Sequence, residues 1–498
     1  MRGRMPRWRC IVGAVATMLA VAALVAAFTW GAIFDSVLAS NLALTPTSRS
    51  FQNWQAPSVP IYFEVFLYNW TNAEQFPHEK PNLAQIGPYR FREERSHVNI
   101  TWNNHNGSIA YRTLRRFFFD PLTSNGTLKD NVTTLNVLAA SAVYRTRYWS
   151  YVRQKGLSMG LSMFGQHISV TKTAGEILFD GYEDPLLDMA KSLPSSATGD
   201  APRVDRFGWF YGRNNSLDSD GYVEVTNGQA SGTFPGQILK WNHEDHLPFY
   251  SGKCSEVAGS AGEFLPRGMT EQSLLKMFVP DLCRTVNMEY IGNAENGGLK
   301  YLKYALKEKG FDYSPASPSE SCFCDGQCPW SGVMNVSACR FNSPAFVTLP
   351  HFLHGDPRLL DMVTGMEPDA EKHEFFFGVE PQLGIPLEVA ARFQINVYIE
   401  PNRNIALYES VPTMLFPVFW IQQRVQMNEE ILHELKTVRA ILDWGSTVCA
   451  GAAFALAVIV AMVTCCGTKP KYVPPHEMTF EKPKDEAELK LNPQYFES

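Results

Sequence analysis

Two long apolar runs without charged residues bracket this chain of 498 residues and constrain its architecture more than any other feature. They extend from Ile11 to Phe34 and from Trp444 to Gly467, and neither contains Asp, Glu, Lys or Arg. About 20 apolar residues in a helix, at about 1.5 Å of rise per residue, cross a hydrocarbon core of roughly 30 Å. The sequence therefore predicts transmembrane helices at 11–34 and 444–467, with a folded domain between them.

Basic residues flank both runs on the side away from the central segment. The positive-inside rule then puts both termini in the cytoplasm, and it puts residues 35–443 outside the cell or in a lumen. Residues 1–10 and 468–498 become cytoplasmic ends. A cleaved signal peptide, ending near Ala39, is the alternative for the first run, but this run exceeds the usual h-region of roughly 7–15 residues. The basic residues are Arg2, Arg4, Arg7, Arg9, Lys469 and Lys471.

N-glycosylation sequons occur only in the central segment, which agrees with this topology. A glycan is added to Asn in the pattern N-x-S/T on the luminal side of a membrane. We therefore expect residues 35–443 to form a glycosylated ectodomain. The sequons lie at Asn69, Asn99, Asn106, Asn125, Asn131, Asn214 and Asn335.

The ten cysteines fall into two groups. Six of them lie in the central segment, where an oxidising compartment favours three disulfides. A zinc site is the alternative, but no histidine stands at ligand spacing beside the cluster. The other four lie in or beside the apolar runs, at Cys10, Cys449, Cys465 and Cys466. Cys10, Cys465 and Cys466 are candidates for S-palmitoylation, and the alternative is that they are small apolar residues that fill space. The central six are Cys254, Cys283, Cys322, Cys324, Cys328 and Cys339.

The charge distribution excludes some partners. The net charge is -6 and no basic block is present, so nucleic acid is not an expected partner. Residues 468–498 are rich in proline and charge, which predicts a disordered tail. The tail lacks a clear dileucine or tyrosine-based sorting sequence, and this favours the plasma membrane over the lysosomal membrane.

Apolar periodicity predicts the elements of the central segment. Alternation over 61–68 and again over 393–399 indicates β-strands that are far apart in sequence. Leu157, Leu161 and Phe164 follow helical spacing, and residues of about 135–195 are predicted to be a helical block inserted in a mostly antiparallel sheet. An amphipathic stripe that begins at Ile431 leads directly into the second apolar run.

A series of motifs resembles the class B scavenger receptors, the family that includes the fatty-acid translocase, the lysosomal integral membrane proteins and the insect sensory neuron membrane proteins. The resemblance covers nearly the whole chain and is strongest in its last third. The matching segments are 51–54 (FQNW), 61–63 (IYF), 71–72 (TN), 87–89 (GPY), 120–121 (DP), 181–185 (GYEDP), 210–214 (FYGRN), 349–353 (LPHFL), 365–368 (GMEP), 372–374 (KHE), 380–384 (EPQLG) and 392–396 (RFQIN).

The resemblance implies an α+β fold: a large antiparallel β-barrel-like ectodomain with an apical helical bundle, anchored by two transmembrane helices. It also implies an apolar tunnel from the apex towards the bilayer. Six cysteines allow 15 pairings, and the family pattern implies Cys254 with Cys322, Cys283 with Cys339, and Cys324 with Cys328. The short spacing of the third pair makes it the least secure.

The helical block is the predicted collection site for lipid. It combines cations for anionic headgroups with adaptable apolar side chains. An ordinary amphipathic bundle with solvated cations and core methionines is an equal alternative. The paired lysines of some lipoprotein-binding relatives have no match in 162–170, so a preference for one kind of particle does not transfer. The proposed ligand-binding residues are Arg145, Arg147, Arg153, Lys155, Met159, Met163, Phe164 and Lys172.

Three motifs invite an enzymatic interpretation, and none is favoured. Residues 156–160 match G-x-S-x-G, but polar and basic residues precede them where a nucleophile elbow needs a buried strand. His243 and His246 lack the i, i+4 spacing of a zinc-binding helix. His351 is better explained as a structural histidine at a strand end. We therefore expect no catalytic residue, cofactor or metal.

These features predict a cell-surface scavenger-type receptor that binds lipids, lipoprotein-like particles or anionic particles and transfers hydrophobic cargo to the membrane. The alternatives within the family are a phagocytic or adhesion receptor for apoptotic or microbial surfaces, and an odorant-lipid coreceptor, without bulk transport. A trimeric ligand-gated channel has the same topology, but a conducting pore is usually lined by polar or charged side chains, and these runs carry few. Homo-oligomerisation stays open.

Overall fold

The structure is a computed structural model that describes residues 7–57, 59–192, 204–307, 321–324 and 330–465. The predicted tail 468–498, Cys328 and Cys466 lie outside the described residues, as do 193–195 of the predicted helical block. Within the described ranges the chain forms seven α-helices: α1 Arg7–Leu42, α2 Arg49–Gln55, α3 Val137–Arg145, α4 Tyr151–Met163, α5 Pro185–Ser192, α6 Ala370–His373 and α7 Glu429–Cys465.

The same ranges contain fifteen β-strands, which confirms the α+β fold class. The strands are β1 Ile61–Trp70, β2 Leu83–Asn103, β3 Ser108–Phe119, β4 Asn131–Leu135, β5 Ser169–Thr173, β6 Tyr222–Thr226, β7 Ile238–Trp241, β8 Leu275–Val279, β9 Arg284–Asn296, β10 Leu299–Ala305, β11 Met334–Asn335, β12 Ala345–Thr348, β13 Phe376–Glu380, β14 Ile385–Ile399 and β15 Met414–Gln426.

The chain forms two compact units, one of which contains α1 up to Gly31 and α7 from Leu442 onwards. Helices long and apolar enough to cross a membrane extend over Ile11–Leu42 and Glu429–Met462. In this unit the indole Nε1 of Trp30 donates to the carbonyl oxygen of Leu442 at 3.3 Å. A Cβ added at Gly445 would lie 2.0 Å from the Trp30 ring, so the two helices pack closely where α7 has no side chain.

The second unit, Ala32–Ile441, is built around one 13-stranded sheet of antiparallel pairs. The strands follow the order β7-β6-β3-β2-β1-β15-β14-β13-β10-β9-β8, and β12 joins β14 as a branch that carries β11. The long strands β1, β14 and β15 are adjacent, with Val65 opposite Ile421 and Phe393 opposite the same residue. Strands from the two ends of the central segment therefore pair with each other.

A short segment around Ser260 joins the two edges of this sheet, and we call this junction the seam. Ser260 bridges Gln237, next to β7, and Met277 of β8. The N–H of Ile238 donates to the carbonyl oxygen of Gly259, and the N–H of Ser260 donates to that of Lys276, at 2.9 and 3.0 Å. Because these bonds satisfy both edge strands, the sheet is nearly closed and has an interior.

The central strand β1 is buried on both faces. Ile61, Phe63, Val65 and Leu67, which share one face of the strand, are buried, but so are Glu64 and Tyr68 from the opposite face. Phe66 stacks on Trp420 with ring centroids 3.8 Å apart, and the Tyr68 hydroxyl donates to Gln394 at 2.7 Å. The second face is covered because the loops after β12 fold over it, and this is invisible in local periodicity.

The segment of 135–195 is only partly helical. Helices α3, α4 and α5 lie in it with a π-helical turn at Glu176–Asp180, but Ser169–Thr173 forms β5. Residues of β5 pair with β4, so that Lys172 lies opposite Val132. The apolar spacing from Leu157 to Leu161 belongs to a helix, whereas Ile168 lies outside it, because α4 ends at Met163 and Gly165 has a φ of 60°.

Gly259 tests how far the fold depends on the seam at Ser260. An added Cβ would lie 2.5 Å from the carbonyl oxygen of Lys276, the atom that accepts the seam hydrogen bond. We expect Gly259→Ala to cost about 1–3 kcal/mol more than Gly262→Ala through overpacking. Gly262 is the matched control because its φ is also positive, while its nearest contact is Met277 at 3.9 Å. The melting temperature of the detergent-solubilised full-length protein measures the difference, and equal shifts would contradict the prediction.

Candidate functional site

A partly open cavity of about 280 Å³ is lined by strands of the nearly closed sheet, and we call it the inner cavity. Alternate residues of β1, β3, β12, β14 and β15 point into it because side chains on a strand alternate between two faces. Helix α3 contributes Val137 and Ser141, so helices cover the strands at one side. The apolar lining includes Phe63, Phe117, Phe207, Trp209, Phe210, Val347, Phe393, Ile395, Val397, Phe419 and Ile421.

Aromatic side chains dominate this lining and contact one another edge to face. The rings of Phe63 and Phe210 are 5.1 Å apart at 88°, and those of Phe210 and Phe419 are 5.7 Å apart at 70°. Such pairs hold large rigid groups at fixed angles and are favourable beyond the area that they bury. The inner cavity is thus an apolar space with rigid walls.

One end of the inner cavity is charged. Arg115 places Nε 2.8 Å from Asp220, and Arg213 and Arg340 lie 3.0 and 3.5 Å from Asp281. Burial alone would raise the pKa of Asp281, but the guanidinium groups of Arg213 and Arg340 lower it below its ordinary value. These ions therefore stay charged and paired at the cavity wall, where Arg213, Arg340 and Asp281 are only partly buried.

Ser219 adds an unsatisfied hydroxyl to the charged end. Its Oγ is buried, lines the inner cavity, and has no hydrogen-bond partner among the described residues. Burying a hydroxyl without a partner costs free energy, so the position favours a polar group of a ligand. The inner cavity therefore has one apolar and one polar end.

The residues predicted to collect lipid lie on several elements around α4. Helix α4 buries Gln154, Leu157 and Leu161 and turns Met159 and Met163 outwards, where they are 64% and 75% exposed. Phe164 follows at 44%. Sequence reasoning missed three neighbouring exposed side chains, Tyr148, Tyr151 and Val152. The sequence could have indicated that Val152 is exposed, because it does not share the helix face of the buried Leu157 and Leu161.

Several of the predicted cations rest on aromatic rings rather than standing alone. The Arg147 guanidinium lies 3.7 Å from the Tyr144 ring centroid and 4.5 Å from that of Tyr148. Lys155 lies 5.8 Å from Tyr151, whereas Lys172 lies on β5 above Tyr182. Arg153 is exposed on α4, and Arg145 is half-buried at the end of α3, where burial lowers its pKa. We call the exposed face formed by Tyr148, Tyr151, Val152, Arg153, Lys155, Met159, Met163 and Phe164 the α4 surface.

A second, larger cavity of about 1340 Å³ opens beside α3 and the start of α4, and we call it the outer cleft. Its lining is more polar than that of the inner cavity, although aromatic rings line both. Arg147 of the predicted set lies in its wall together with Tyr148 and Gln154. Gln154 donates to the carbonyl oxygens of Thr146 and Arg147, so it fixes the turn between α3 and α4.

His351, a rejected catalytic candidate, belongs to a buried pair. Its ring stacks on His373 with centroids 4.3 Å apart, and both side chains are almost fully buried. The Nδ1 atom of His351 accepts the N–H of Glu367, and that of His373 accepts the N–H of Asp369. Both rings are therefore neutral and carry their proton on Nε2, where His351 contacts Gln85 at 2.7 Å.

The other rejected motifs lie in settings that do not favour catalysis. Ser158 lies within α4, not on a strand-to-helix turn, and its Oγ accepts the N–H of Ala406 at 3.0 Å. His243 stacks on Tyr222, and His246 contacts Asp245 on the surface. Among the described residues, no group of three or more His, Cys, Asp or Glu side chains could hold a metal ion.

Comparison with known proteins identifies the family. Residues 11–467 match the CD36 family. The chain belongs to the CD36 family. It is 37% identical to Protein peste of Drosophila melanogaster, over 84% of this chain and 75% of that protein. It is 30% identical to scavenger receptor class B member 1 of Cricetulus griseus (86% and 84%) and 29% identical to lysosome membrane protein 2 of Homo sapiens (81% and 83%).

Membership of the CD36 family confirms the predicted resemblance to class B scavenger receptors, and with the two terminal apolar helices it makes this chain a two-span membrane protein. The motifs that suggested the family meet in three dimensions. His351 (LPHFL) and His373 (KHE) form the stacked pair, Glu367 (GMEP) donates to it, and Gln394 (RFQIN) accepts the N–H of His351 at 2.8 Å. These CD36-family motifs therefore meet in one packed cluster against strand β14.

The structure joins Cys254 to Cys322 and Cys283 to Cys339, with Cα atoms 5.8 and 6.4 Å apart. These are two of the pairs that the resemblance implied. The third, Cys324 with Cys328, involves a residue outside the described ranges. Of the palmitoylation candidates, Cys10 lies in α1 and Cys465 ends α7.

The asparagines of the sequons differ in exposure. Asn69 and Asn335 are half-buried, and Asn335 lines the outer cleft. The other five are exposed: Asn99, Asn106, Asn125, Asn131 and Asn214.

The buried histidines predict a loss of stability in acid. Burial lowers the pKa of His97 to about 3 and those of His351 and His373 to about 4, whereas an unfolded histidine titrates near 6.5. The unfolded chain therefore binds more protons as the pH falls from about 6.5 towards 4. Each extra proton lowers the free energy of unfolding by up to about 1.4 kcal/mol per pH unit.

His373→Asn should reduce this pH dependence, because asparagine keeps an acceptor near the Asp369 N–H and cannot be protonated. Melting temperatures of the full-length protein between pH 7 and pH 4.5 measure it. His246→Asn is the control, because His246 is exposed and its contact with Asp245 raises its pKa. A wild-type melting temperature that stays constant over this range would contradict the prediction.

Proposed function

We propose that this protein is a two-pass membrane receptor that captures lipids or lipid-bearing particles and passes hydrophobic cargo through the inner cavity towards the bilayer. The observation that carries the proposal is a mainly apolar cavity lined by the sheet of a CD36-family chain. A receptor role is supported by the name of one relative, scavenger receptor class B member 1. The proposal needs no catalytic residue.

The physical reason for a covered path is the cost of hydrating an acyl chain. Exposing each CH₂ group to water costs about 0.8 kcal/mol, so a lipid that leaves a particle meets a large barrier unless protein covers it. The inner cavity, at about 280 Å³, is near the lower limit of ordinary ligand pockets of about 300–1,000 Å³. It therefore fits part of one extended chain, and larger cargo requires movement of its aromatic walls.

The two ends of the inner cavity suit an amphiphile. The rings of Phe63, Phe210 and Phe419 can contact an acyl chain, while the Ser219 hydroxyl and the guanidinium groups of Arg115 and Arg213 can bond a polar head. Because the ion pairs already balance most of the charge, the head group has to bond in the presence of Asp220 and Asp281. This arrangement favours an extended lipid with one polar end.

The α4 surface is the proposed collection site. An exposed large apolar patch on a folded protein marks an interaction surface, and methionines adapt to irregular partners. Arg153 and Lys155 next to Met159 add attraction for anionic headgroups. We place the protein at the plasma membrane, while the relationship to lysosome membrane protein 2 makes the lysosomal membrane the alternative.

A recognition receptor for apoptotic or microbial surfaces, without bulk transport, is the second candidate. The α4 surface favours it, because an exposed apolar and cationic patch is sufficient for binding. Lipid transfer and particle binding must therefore be measured separately.

Filling the inner cavity should separate the two functions. Ile395→Trp adds bulk to a lining residue of β14 and should reduce uptake of a fluorescent lipid from particles by about tenfold, as overpacking leaves no space for the chain. Particle binding should be unchanged. Tyr62→Trp on β1 is the control, because Tyr62 is 38% exposed and lies outside the cavity wall. Unaltered uptake in Ile395→Trp at normal surface expression would exclude transfer through this cavity.

Placing charge on the α4 surface should reduce capture. Met159→Asp and Met163→Asp put a carboxylate into the apolar patch, and we expect anionic liposome binding to cells to fall by about tenfold, equivalent to about 1.4 kcal/mol. Leu122→Asp is the matched control, because Leu122 is 93% exposed in the loop after β3. Equal binding by all three variants would move the collection site elsewhere.

A further inference from the structure

Asn335 is distinguished from the other six sequon asparagines because its side chain lines the outer cleft. Its Oδ1 accepts the N–H of Ser337 at 2.9 Å, and its carbonyl oxygen accepts from Arg284 at 3.0 Å. Its Nδ2, the atom that carries an N-glycan, has no hydrogen-bond partner among the described residues and is not a buried atom. The attachment atom therefore opens into the cleft.

The sequon is accessible to a transferase only before the chain folds. Ser337, its third residue, is 6% exposed in the folded protein, and Cys339 beyond it is bonded to Cys283. In the transfer, Nδ2 attacks the anomeric carbon of a lipid-linked oligosaccharide diphosphate. An N–C bond forms, the C–O bond to the diphosphate breaks, and the nitrogen loses one proton to a base. The sugar is then present while the sheet closes around Ser337.

The lining of the outer cleft has the chemistry that a saccharide requires. Rings of Phe249, Trp330 and Tyr250 offer flat apolar surfaces for the C–H face of a sugar. Polar groups with free hydrogen-bonding capacity lie among them: the side chains of Asn342 and Arg403 are exposed and have no hydrogen-bond partner among the described residues. Amide and guanidinium donors can bond the hydroxyl and acetamido oxygens of a glycan.

We propose that the N-glycan on Asn335 lies in the outer cleft and packs against Phe249 and Trp330. The volume of about 1340 Å³ leaves room for the first sugars of the chain. The glycan covers an aromatic wall that would otherwise face solvent, next to the turn that holds Arg147 and Trp149. The outer cleft is then a structural glycan site, and it meets the α4 surface at Tyr148.

Site-resolved enzymatic deglycosylation of the full-length protein from a eukaryotic host tests this proposal. Peptide-N-glycosidase converts each glycosylated Asn to Asp, and mass spectrometry of peptides follows every site with time. The glycan at Asn335 should be released at least about tenfold more slowly than that at Asn131 in the native protein, and at an equal rate after denaturation. Asn131 is the control because it is exposed and lies outside both cavities.

A variant of the cleft wall completes the test. Phe249→Ala removes a ring that is 36% exposed, so the fold should survive, and release at Asn335 should approach the rate at Asn131. The proposal is overturned if Asn335 carries no glycan, if native release is as fast as at Asn131, or if Phe249→Ala leaves slow release at Asn335 unchanged. A normal melting temperature of the variant separates loss of the contact from unfolding.

Discussion

Backbone hydrogen bonding at the seam of the large sheet is the constraint on which the rest of the ectodomain depends. An open sheet of this size would leave two edges of unpaired N–H and C=O groups. Ser260 and its neighbours bond both β7 and β8, so the inner faces of the strands enclose a space. Without that closure, Phe63 and Phe419 would line a surface rather than a cavity.

Closure also explains the unusual distribution of charge. Arg115, Arg213 and Arg340 line the inner cavity and are only partly exposed, so leaving them unpaired would cost free energy. Asp220 and Asp281 pair with them, and the inner cavity leaves space beside these ion pairs for a ligand. A packed apolar core would hold the fold together more simply. The retention of a space with one charged end therefore supports a role in ligand binding, as proposed above.

Local sequence patterns anticipated the strands better than the helical block. The alternating patterns located β1 and β14 correctly, although burial does not alternate along either strand because residues of both faces are covered. The covered second face of β1 was not anticipated, since the buried Tyr68 donates to Gln394, which is more than 300 residues away. Lys172 was predicted on a helix and lies on β5, because pairing with β4 satisfies that segment's backbone. Long-range pairing overrides local propensity at both positions.

The sequence by itself determined the two apolar runs, the segment with N-x-S/T sequons between them, and the motifs of the family, since composition and spacing are local properties. Tertiary structure alone decided which residues meet. It stacks His351 on His373 and directs Ile395 into the inner cavity, because both depend on the register of strands distant in sequence. It also made Asn335 unlike the other sequons, because the folded chain, and not the N-x-S pattern, places an open cleft around one of them.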